Sequence, residues 1–396
     1  MQEIVINKDM QNTKIIALVE NGILIEKYEE RENHNRLEGN IYIGKIQNVL
    51  QGMQAAFVDI GENKNTFIHL KDILPKIDIT KEKVENIEYK NIKEVVKPGM
   101  PILVQVKRDS TNKKGARVST HISLVGRYFV LMPETNIVTI SQKIEDEDEK
   151  NRLLGITRKY IGKNIGAIIR TSSNNKKEEE LLKDLQSITK RWEKIKNEVT
   201  QKKKFPRIVE KNESIMKKII IDTIDNNLSR IIVNNMEVYK EVKNIVKELD
   251  KDTSIEIVLK EKENILDLYD LSTQLEKAEN RKVWLKCGGF ITIDKTEALT
   301  AIDVNSGKYT GTNNLEQTVL KVNKEASQEI ARQIRLRDIG GIIIIDYIDM
   351  TEEKHEQEII DILNDNLKKD RSKTQVIGFT KLNLLEMTRK HMCSND

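Results

Sequence analysis

Two aspartates in the segment Gly288–Met350 stand where predicted strands end, and their side chains suit a divalent cation. Asp303 closes the second strand of a predicted hairpin, and Asp346 directly follows four consecutive isoleucines. Asn305 and Ser306 lie beside the first of these acids. Mg²⁺ prefers oxygen ligands, keeps several of its waters and leaves room for a phosphate oxygen. The residue types therefore indicate metal-assisted phosphate chemistry at this place in the chain.

The elements that must position these acids are a strand, a helix and a returning strand. The runs Phe290–Ile293 and Leu299–Val304 are rich in β-branched residues, which predicts a hairpin. Glu316–Arg337 has apolar residues at helical spacing and stops at Gly340–Gly341, and the isoleucines that follow suit a buried strand. This order would bring the two aspartates side by side. For either acid alone a turn-forming role remains the alternative, because Asp is common in turns.

Length and composition set limits on the class of protein. A chain of 396 residues is too long for one ordinary core and indicates two to four domains. Charged residues make up 33% of the chain and the net charge is only +4, so a basic binding face must be local. The 2 cysteines are far apart and form no CxxC pair, which argues against a disulfide framework or a self-contained zinc site. Because disulfides lack support and no apolar run reaches the roughly 20 residues that a membrane span needs, we expect a cytoplasmic protein with no membrane span.

A compact β pattern runs from Leu37 to Ser123. Its short strands with glycine corners predict a small barrel of the OB type, a fold that binds single strands through aromatic and basic side chains. Phe57 and Phe67 fall in the second and third strands, and Lys107 and Lys114 come from the far edge. Burial of both phenylalanines in the barrel core remains the alternative.

A second α/β pattern runs from Gly126 to Lys204 and contains a strand that ends in Arg170–Thr171. A guanidinium, a hydroxyl and free backbone N–H groups together can hold a terminal phosphate. The alternative for Arg170 is an ordinary surface arginine.

The other segments are predicted more coarsely. We expect His69 to be structural, Pro75–Pro98 to be a solvated insertion or short exposed helix, and Leu384–His391 to begin a helix. Short strands at the amino terminus have a pattern that returns only between Ser214 and Gln274, and nothing local indicates that these pieces pair.

Three long segments of the sequence resemble the catalytic domain of the ribonuclease E/G family: TEALTAIDVNSGKYTG, EIARQIRLRDIGGIIIIDYIDM and FTKLNLLEMTRK. The resemblance covers nearly the whole chain and implies a multidomain α/β and β protein. The implied parts are an RNase H-like domain in two pieces (1–36 and 214–278) that lacks that fold's catalytic acids, an inserted OB-fold RNA-binding domain of the S-one type (37–125), a 5′-sensor domain (126–213) and a DNase I-like α/β catalytic domain (279–396).

The resemblance also implies an activity, a cofactor and a set of site residues. It implies a cytoplasmic Mg²⁺-dependent endoribonuclease that cleaves single-stranded A/U-rich RNA in rRNA, tRNA and mRNA processing and decay, favours 5′-monophosphorylated ends and leaves a 5′ phosphate. The implied residues are Asp303, Asn305 and Asp346 for catalysis, Asp303 and Asp346 for the metal, Phe57, Phe67, Lys107 and Lys114 for RNA, Gly126, Val130, Arg170 and Thr171 for the 5′ phosphate, and Arg281 and Lys308 as further phosphate contacts.

Some features depart from the family pattern. The chain closes on HMCSND with a lone Cys393, where family members have a CPxC zinc link and a small domain, and Leu382–Asn383 replaces the usual Leu–Gly. We therefore expect no zinc-linked tetramer and at most a homodimer. A catalytically impaired RNA-binding protein of the same family is the main alternative. A different Mg²⁺-dependent phosphotransfer enzyme, such as an ATPase, lacks support because no GxxxxGK[ST] loop is present.

Overall fold

The structure is a computed structural model that describes residues 1–31, 36–73, 91–110, 115–201, 204–224, 228–249, 255–261, 263–308 and 315–392. The strands are, in chain order, β1 (Gln2–Lys8), β2 (Thr13–Glu20), β3 (Ile23–Arg31), β4 (Ile41–Leu50), β5 (Ala55–Asp59), β6 (Thr66–His69), β7 (Pro101–Arg108), β8 (Arg117–Ser119), β9 (Leu124–Val125), β10 (Phe129–Pro133), β11 (Val138–Ile140), β12 (Ile165–Ile169), β13 (Arg207–Glu210), β14 (Leu228–Val233), β15 (Glu256–Leu259), β16 (Lys282–Trp284), β17 (Phe290–Lys295), β18 (Leu299–Asn305), β19 (Gly341–Asp346), β20 (Thr374–Phe379) and β21 (Leu384–Arg389).

The α-helices are α1 (Ile92–Val95), α2 (Glu147–Tyr160), α3 (Glu178–Gln201), α4 (Ile215–Thr223), α5 (Met236–Leu249), α6 (Leu271–Lys277), α7 (Leu315–Leu336) and α8 (Glu353–Leu367). None of the helices within the described ranges is long and apolar enough to cross a membrane. The chain divides into two compact units, one built from β1–β3 and everything from α4 onward, the other from β4 through β13.

The first unit contains a mixed sheet with the strand order β15-β14-β1-β2-β3. The three amino-terminal strands are antiparallel, and Asn21 and Gly22 form the tight turn between β2 and β3 with φ angles of 51° and 79°. On the other side β1 pairs in parallel with β14, which pairs in parallel with β15. The two separated segments therefore form one sheet.

A second sheet in the same unit has the order β16-β17-β18-β19-β21-β20. One face packs against α7 and α8, because alternate residues such as Ile302, Val304 and Ile345 point into a shared apolar core. The opposite face carries Ala301, Asp303 and Asp346, all of them exposed. The predicted stripe of α7 is confirmed by four of its members, which have no exposed surface: Val322, Ala326, Ile330 and Ile334.

The predicted helix at Leu384–His391 is wrong, because this segment is strand β21. It pairs antiparallel with both β19 and β20. Leu385 and Met387 are buried on the helix-covered face, while Glu386 and Thr388 alternate with them on the other face. Leu, Glu, Met and Arg all favour helices in isolation, and the position between two strands overrides that preference.

Buried ion pairs fix the ends of this sheet. The Arg389 side chain has no exposed surface, and it donates to Asp370 at 2.7 Å and to Asp338 at 2.7 Å. Asp338 ends the turn after α7 and Asp370 the turn after α8, so one guanidinium ties β21 to both helix ends.

The second unit contains the predicted barrel. Five strands are paired in the order β4-β5-β6-β8-β7, and the β4–β7 pairing closes the ring. Strand β13 pairs antiparallel with β4. The closed five-stranded barrel is compatible with an OB-like domain. Positions 75–90 of the predicted insertion lie outside the described residues. In the described rest, the short helix of the second alternative is present as α1. It is not fully exposed, because Ile92 and the following Val96 are buried in the barrel core.

The remaining sheet of the second unit has the order β11-β12-β10-β9 and packs against α2 and α3. Helix α3 contributes the apolar stripe Leu181, Leu185, Ile188 and Trp192 to this core, and all four are buried. The loop between β9 and β10 and the end of β12 meet at one edge of this sheet.

Candidate active site

The two predicted acids lie side by side on adjacent strands. Strands β18 and β19 are parallel, and Asp303 pairs in register with Asp346. Because paired residues of neighbouring strands point to the same face and strands are about 4.8 Å apart, both carboxylates project from the open face of the sheet. The predicted adjacency of the two acids is therefore confirmed.

Asn305 closes β18 two residues after Asp303, on the same face. Its side-chain amide donates a hydrogen bond of 2.5 Å to an Asp303 carboxylate oxygen. This contact fixes the orientation of the Asp303 carboxylate and leaves the amide carbonyl oxygen of Asn305 as a further oxygen beside it.

The electrostatic setting of Asp346 favours a cation. Partial burial is the first cause that raises the pKa of Asp346, and the negative charges of Asp303 and Asp349 raise it further. Each neighbour increases the cost of ionising Asp346, which a bound divalent cation would offset. Two carboxylates and one amide oxygen at the ends of two central strands, on the open face of the sheet, are a donor set that fits Mg²⁺.

A second acidic group lies between α7 and α8. Candidate ligand atoms of Glu316, Glu352 and His355 lie within 4.8 Å of one another. Glu316 accepts hydrogen bonds from the backbone and hydroxyl of Thr351 and lies 2.8 Å from Nδ1 of His355. These contacts lower the pKa of Glu316, with Thr351 as the larger cause. They join the starts of the two helices, a structural role.

Arg281 and Lys308, the two further candidates for phosphate contacts, differ in their surroundings. Arg281 forms a two-point ion pair with Asp294, at 2.5 and 2.7 Å, so its guanidinium is engaged by that carboxylate. Lys308 is exposed in the turn that follows β18.

The barrel phenylalanines form a pair outside the core. Phe57 on β5 pairs in register with Phe67 on β6, and the rings meet edge to face with centroids 6.1 Å apart. Both side chains are half-buried, whereas their strand neighbours Ala56, Val58 and Ile68 fill the core. The core alternative is therefore wrong, and the two rings present an aromatic surface on the outside of the barrel.

The basic residues predicted near this surface are only partly described. Lys107 lies on β7, which strand β8 separates from β6, and its ammonium donates to the side-chain oxygen of Gln105 at 2.8 Å. Lys114 lies outside the described residues. Nδ1 of His69 accepts a hydrogen bond from the backbone of Lys71 at 3.3 Å, which agrees with a structural role.

The predicted phosphate loop is held by a carboxylate that sequence reasoning missed. Asp184 on α3 accepts hydrogen bonds from the backbone N–H groups of Arg127, Tyr128 and Phe129, at 3.1, 2.8 and 3.2 Å. The N–H of Gly126 donates to the carbonyl of Phe129 at 2.8 Å. The expectation of free backbone N–H groups is therefore wrong for these four positions.

Arg170 is part of the same network. Its Nη1 donates to the carbonyl oxygens of Gly126 and Arg127, at 2.7 and 3.3 Å. A Cβ atom on Gly126 would lie 2.2 Å from Cδ1 of Ile188 and 2.8 Å from both carboxylate oxygens of Asp184, so a larger residue here would have to displace these side chains.

Thr171 and Val130 lie on either side of this loop. The hydroxyl of Thr171 is exposed and lies 2.8 Å from that of Ser141, within hydrogen-bond distance. Val130 is on β10, paired with Val125 and Ile168. The structure thus brings Arg170 and Gly126 into direct contact, with Val130 and Thr171 on flanking elements.

The zinc expectation is not tested, because Cys393 lies outside the described residues. Cys287 is half-buried, and burial is the main cause that raises the pKa of its thiol. Its backbone N–H donates to Glu325 at 2.8 Å.

Comparison with known proteins gives one consistent family. The sequence model of the ribonuclease E/G family matches residues 123–392. Ribonuclease G of Escherichia coli strain K12 is 39% identical over 393 residues, which are 98% of this chain and 79% of that protein. Ribonuclease G of Haemophilus influenzae is 39% identical over 392 residues, with the same coverage of 98% and 79%. Ribonuclease E of a Synechocystis species is 34% identical over 362 residues, which are 90% of this chain and 52% of that protein.

Proposed function

Because this chain belongs to the ribonuclease E/G family and is an endoribonuclease, we propose that it hydrolyses single-stranded, A/U-rich RNA at Asp303 and Asp346, with Mg²⁺ as cofactor. The observation that carries the proposal is the pairing of these two acids in register on the open sheet face. We propose a cytoplasmic role in rRNA, tRNA and mRNA processing and decay. The RNase H-like, OB-fold, 5′-sensor and DNase I-like division of the chain is part of the same proposal.

The chain's own residues have distinct tasks in this chemistry. Asp303 and Asp346 would hold the ion, and Asn305 keeps the Asp303 carboxylate in position through its amide hydrogen bond. When bound, Mg²⁺ supplies an acidified water and neutralises charge on the scissile phosphate. The product ends would be a 5′ phosphate and a 3′ hydroxyl. Because the ion would supply the acidified water, this arrangement needs no histidine base.

The second unit would bind the substrate. The outward edge-to-face pair Phe57 and Phe67 offers a stacking surface that tolerates any base, and Lys107 and Lys114 would contact phosphates. At the sensor edge, Arg170 and Thr171 would bind a 5′ monophosphate by their side chains, with Gly126 and Val130 as backbone neighbours.

The test uses a labelled single-stranded RNA with an A/U-rich stretch and the parental, Asp303→Asn and Asp346→Asn proteins. We expect cleavage with Mg²⁺, none with EDTA, and a loss of orders of magnitude in both variants while RNA binding persists. Sequencing of the product ends identifies the 5′ phosphate. RNA binding without cleavage by the parental protein would instead establish the alternative, a catalytically impaired RNA-binding protein of the same family.

A further inference from the structure

An exposed aromatic patch lies on the same open sheet face as the two acids. It consists of Lys282, Trp284 and Phe290, and we call it the Trp284 patch. The Trp284 side chain is 59% exposed although tryptophan is among the most apolar residues. Trp284 and Phe290 meet edge to face with ring centroids 5.4 Å apart. The ammonium of Lys282 lies 4.0 Å from the centroid of the Trp284 ring and 3.5 Å from that of Phe290.

The strand register places this patch beside the acids. Lys282, Thr292, Asp303 and Asp346 form one row across β16, β17, β18 and β19, since each pairs with the next. Trp284, Phe290 and Asn305 form the neighbouring row. Members of one row point to the same face. Trp284 is therefore two strand spacings, about 10 Å, from the row end occupied by Asn305.

The chemistry of the patch suits one kind of ligand. A single exposed aromatic residue needs no explanation, but here two aromatic rings and a cation lie together on the sheet face that carries the two acids. They combine a stacking surface with a phosphate contact. A single-stranded nucleic acid offers both a base and a phosphate at each nucleotide. In the proposed function an RNA phosphate lies at Asp303 and Asp346, so its neighbouring nucleotides would pass over the same sheet face.

We propose that the Trp284 patch is a base-stacking subsite for a nucleotide next to the scissile phosphate, with Trp284 stacking on the base and Lys282 contacting a phosphate. The proposal rests on the proposed ribonuclease function and adds a positioning site in the catalytic domain itself, separate from the barrel. The proposal predicts that the site aligns the substrate. Loss of the site should therefore raise KM and lower kcat together for short substrates.

The protein carries its own reporter for this site. Of its 2 tryptophans, Trp192 is buried in α3 at 4% exposure, so a base stacked on the protein surface can quench only Trp284. The experiment uses the Asp346→Asn background to prevent cleavage and a set of short single-stranded RNAs in which one position at a time is abasic. Anisotropy of labelled RNA gives affinity, and tryptophan emission reports stacking.

We expect the intact RNA to quench emission and one abasic position near the cleavage site to abolish the quenching. Trp284→Ala should weaken binding about 5- to 100-fold, and it should have no further effect on the RNA that is abasic at that position. Trp284→Phe should restore most of the affinity without the fluorescence signal. Lys282→Gln should lower the slope of log affinity against log salt by about 0.7.

Ile342→Ala is the matched control, because Ile342 is also exposed, at 50%, on the same face of the sheet but at the other end of β19. It should bind RNA like the parental protein. RNA binding without quenching, or equal loss for every abasic position, would overturn the subsite. A change in oligomeric mass in Trp284→Ala with unchanged RNA affinity would assign the patch to a second copy of the chain and overturn it as well.

The two proposals fail in different ways. Cleavage by the parental protein with no effect of Trp284→Ala removes the subsite and leaves the ribonuclease function standing. Quenching that depends on one base, in a parental protein that cleaves no RNA, removes the nuclease activity and leaves the subsite standing.

Discussion

Replacing Asp346 by Asn distinguishes a role in metal binding from a role in folding. The structure predicts that the substitution raises stability without metal and removes the stability that Mg²⁺ adds. Asp346 lies in register beside Asp303, and Asp349 adds a further negative charge. Asn keeps the size of the side chain and removes its charge. We expect the variant to be at least as stable as the parental protein without metal, to gain no stability from Mg²⁺ and to lose cleavage activity.

The expected gain in stability of Asp346→Asn without metal follows from Coulomb's law. Two unit charges about 5 Å apart in water repel each other by about 0.8 kcal/mol, and salt screens part of this. Although partial burial also raises its pKa, Asp346 is exposed to solvent, so the value for water sets the scale of the repulsion. Removing the charge should therefore raise the free energy of unfolding by roughly 0.5–1 kcal/mol, equivalent to a Tm increase of about 2 °C.

The pH dependence of stability tests the same expected gain of Asp346→Asn independently. The folded-state pKa of Asp346 is raised above the ordinary value of 3.8, so the native state binds more protons than the unfolded state just above that pH. Stability from this group is therefore lost as pH rises through the window between the two pKa values. The advantage of Asp346→Asn should be absent below this window and complete above it.

Mg²⁺ should act in the opposite direction. At ten times its Kd, a ligand that binds only the folded state adds about 1.4 kcal/mol of stability, which the parental protein gains and Asp346→Asn loses. Loss of one of two carboxylate ligands should lower the cleavage rate by about 10²- to 10⁴-fold.

The assay is thermal unfolding with EDTA and across a Mg²⁺ titration, together with cleavage of a labelled RNA. Asp361→Asn on the outer side of α8 is the control, and it should leave the Mg²⁺ response and cleavage unchanged. An Asp346→Asn protein that still gains stability from Mg²⁺ and still cleaves at the parental rate would refute the assignment of this site.

Three further predictions concern RNA binding, end sensing and stability. Phe57→Ala and Phe67→Ala should each weaken single-strand binding by roughly 1–3 kcal/mol in an anisotropy titration, with little change in Tm because neither ring is in the barrel core. A fall in Tm with normal binding would contradict this. Arg170→Ala should slow cleavage of a 5′-monophosphorylated RNA about 10- to 100-fold and leave its 5′-hydroxyl counterpart nearly unchanged, since only the first offers the lost contact. Arg389→Met should destabilise the protein by about 3–5 kcal/mol in urea unfolding, because it removes the buried guanidinium whose charge balances the carboxylates of Asp338 and Asp370. A loss below 1 kcal/mol would show that these carboxylates are protonated or hydrated instead.

The acid pair was predictable because its geometry depends on short-range rules. The segment consists of a hairpin strand ending near Asp303, a crossover helix and a strand ending at Asp346. Such a connection usually places its two strands side by side and parallel, which brings the two acids together. The pairing of β1 with β14 was not predictable in this way, since nothing in either strand identifies its partner. Strand β21 shows the limit of propensity, because only the neighbouring strands decide the conformation of Leu384–Arg389.

The Trp284 patch was missed for a related reason. Lys282 and Trp284 alternate with Val283 on a strand of three residues, too short for a period to emerge, and burial would have been the default for a tryptophan. The available signal was the hairpin partner Phe290, which could have been placed opposite Trp284 only with the register known.

The sensor edge shows why residue type alone does not give a residue's role. Asp184 holds three backbone N–H groups of the loop, and Arg170 donates to two carbonyls of the same loop, so the guanidinium supports the loop whether or not a phosphate is present. Arg170→Ala therefore removes a structural contact together with any phosphate contact. Slower cleavage of a 5′-monophosphorylated RNA alone would not distinguish the two losses. The 5′-hydroxyl substrate excludes a general loss of folding or activity, which would slow both substrates. Hydrogen exchange of the backbone N–H groups at 126–129 shows whether the loop itself has loosened, whereas a lost phosphate contact alone leaves that exchange unchanged.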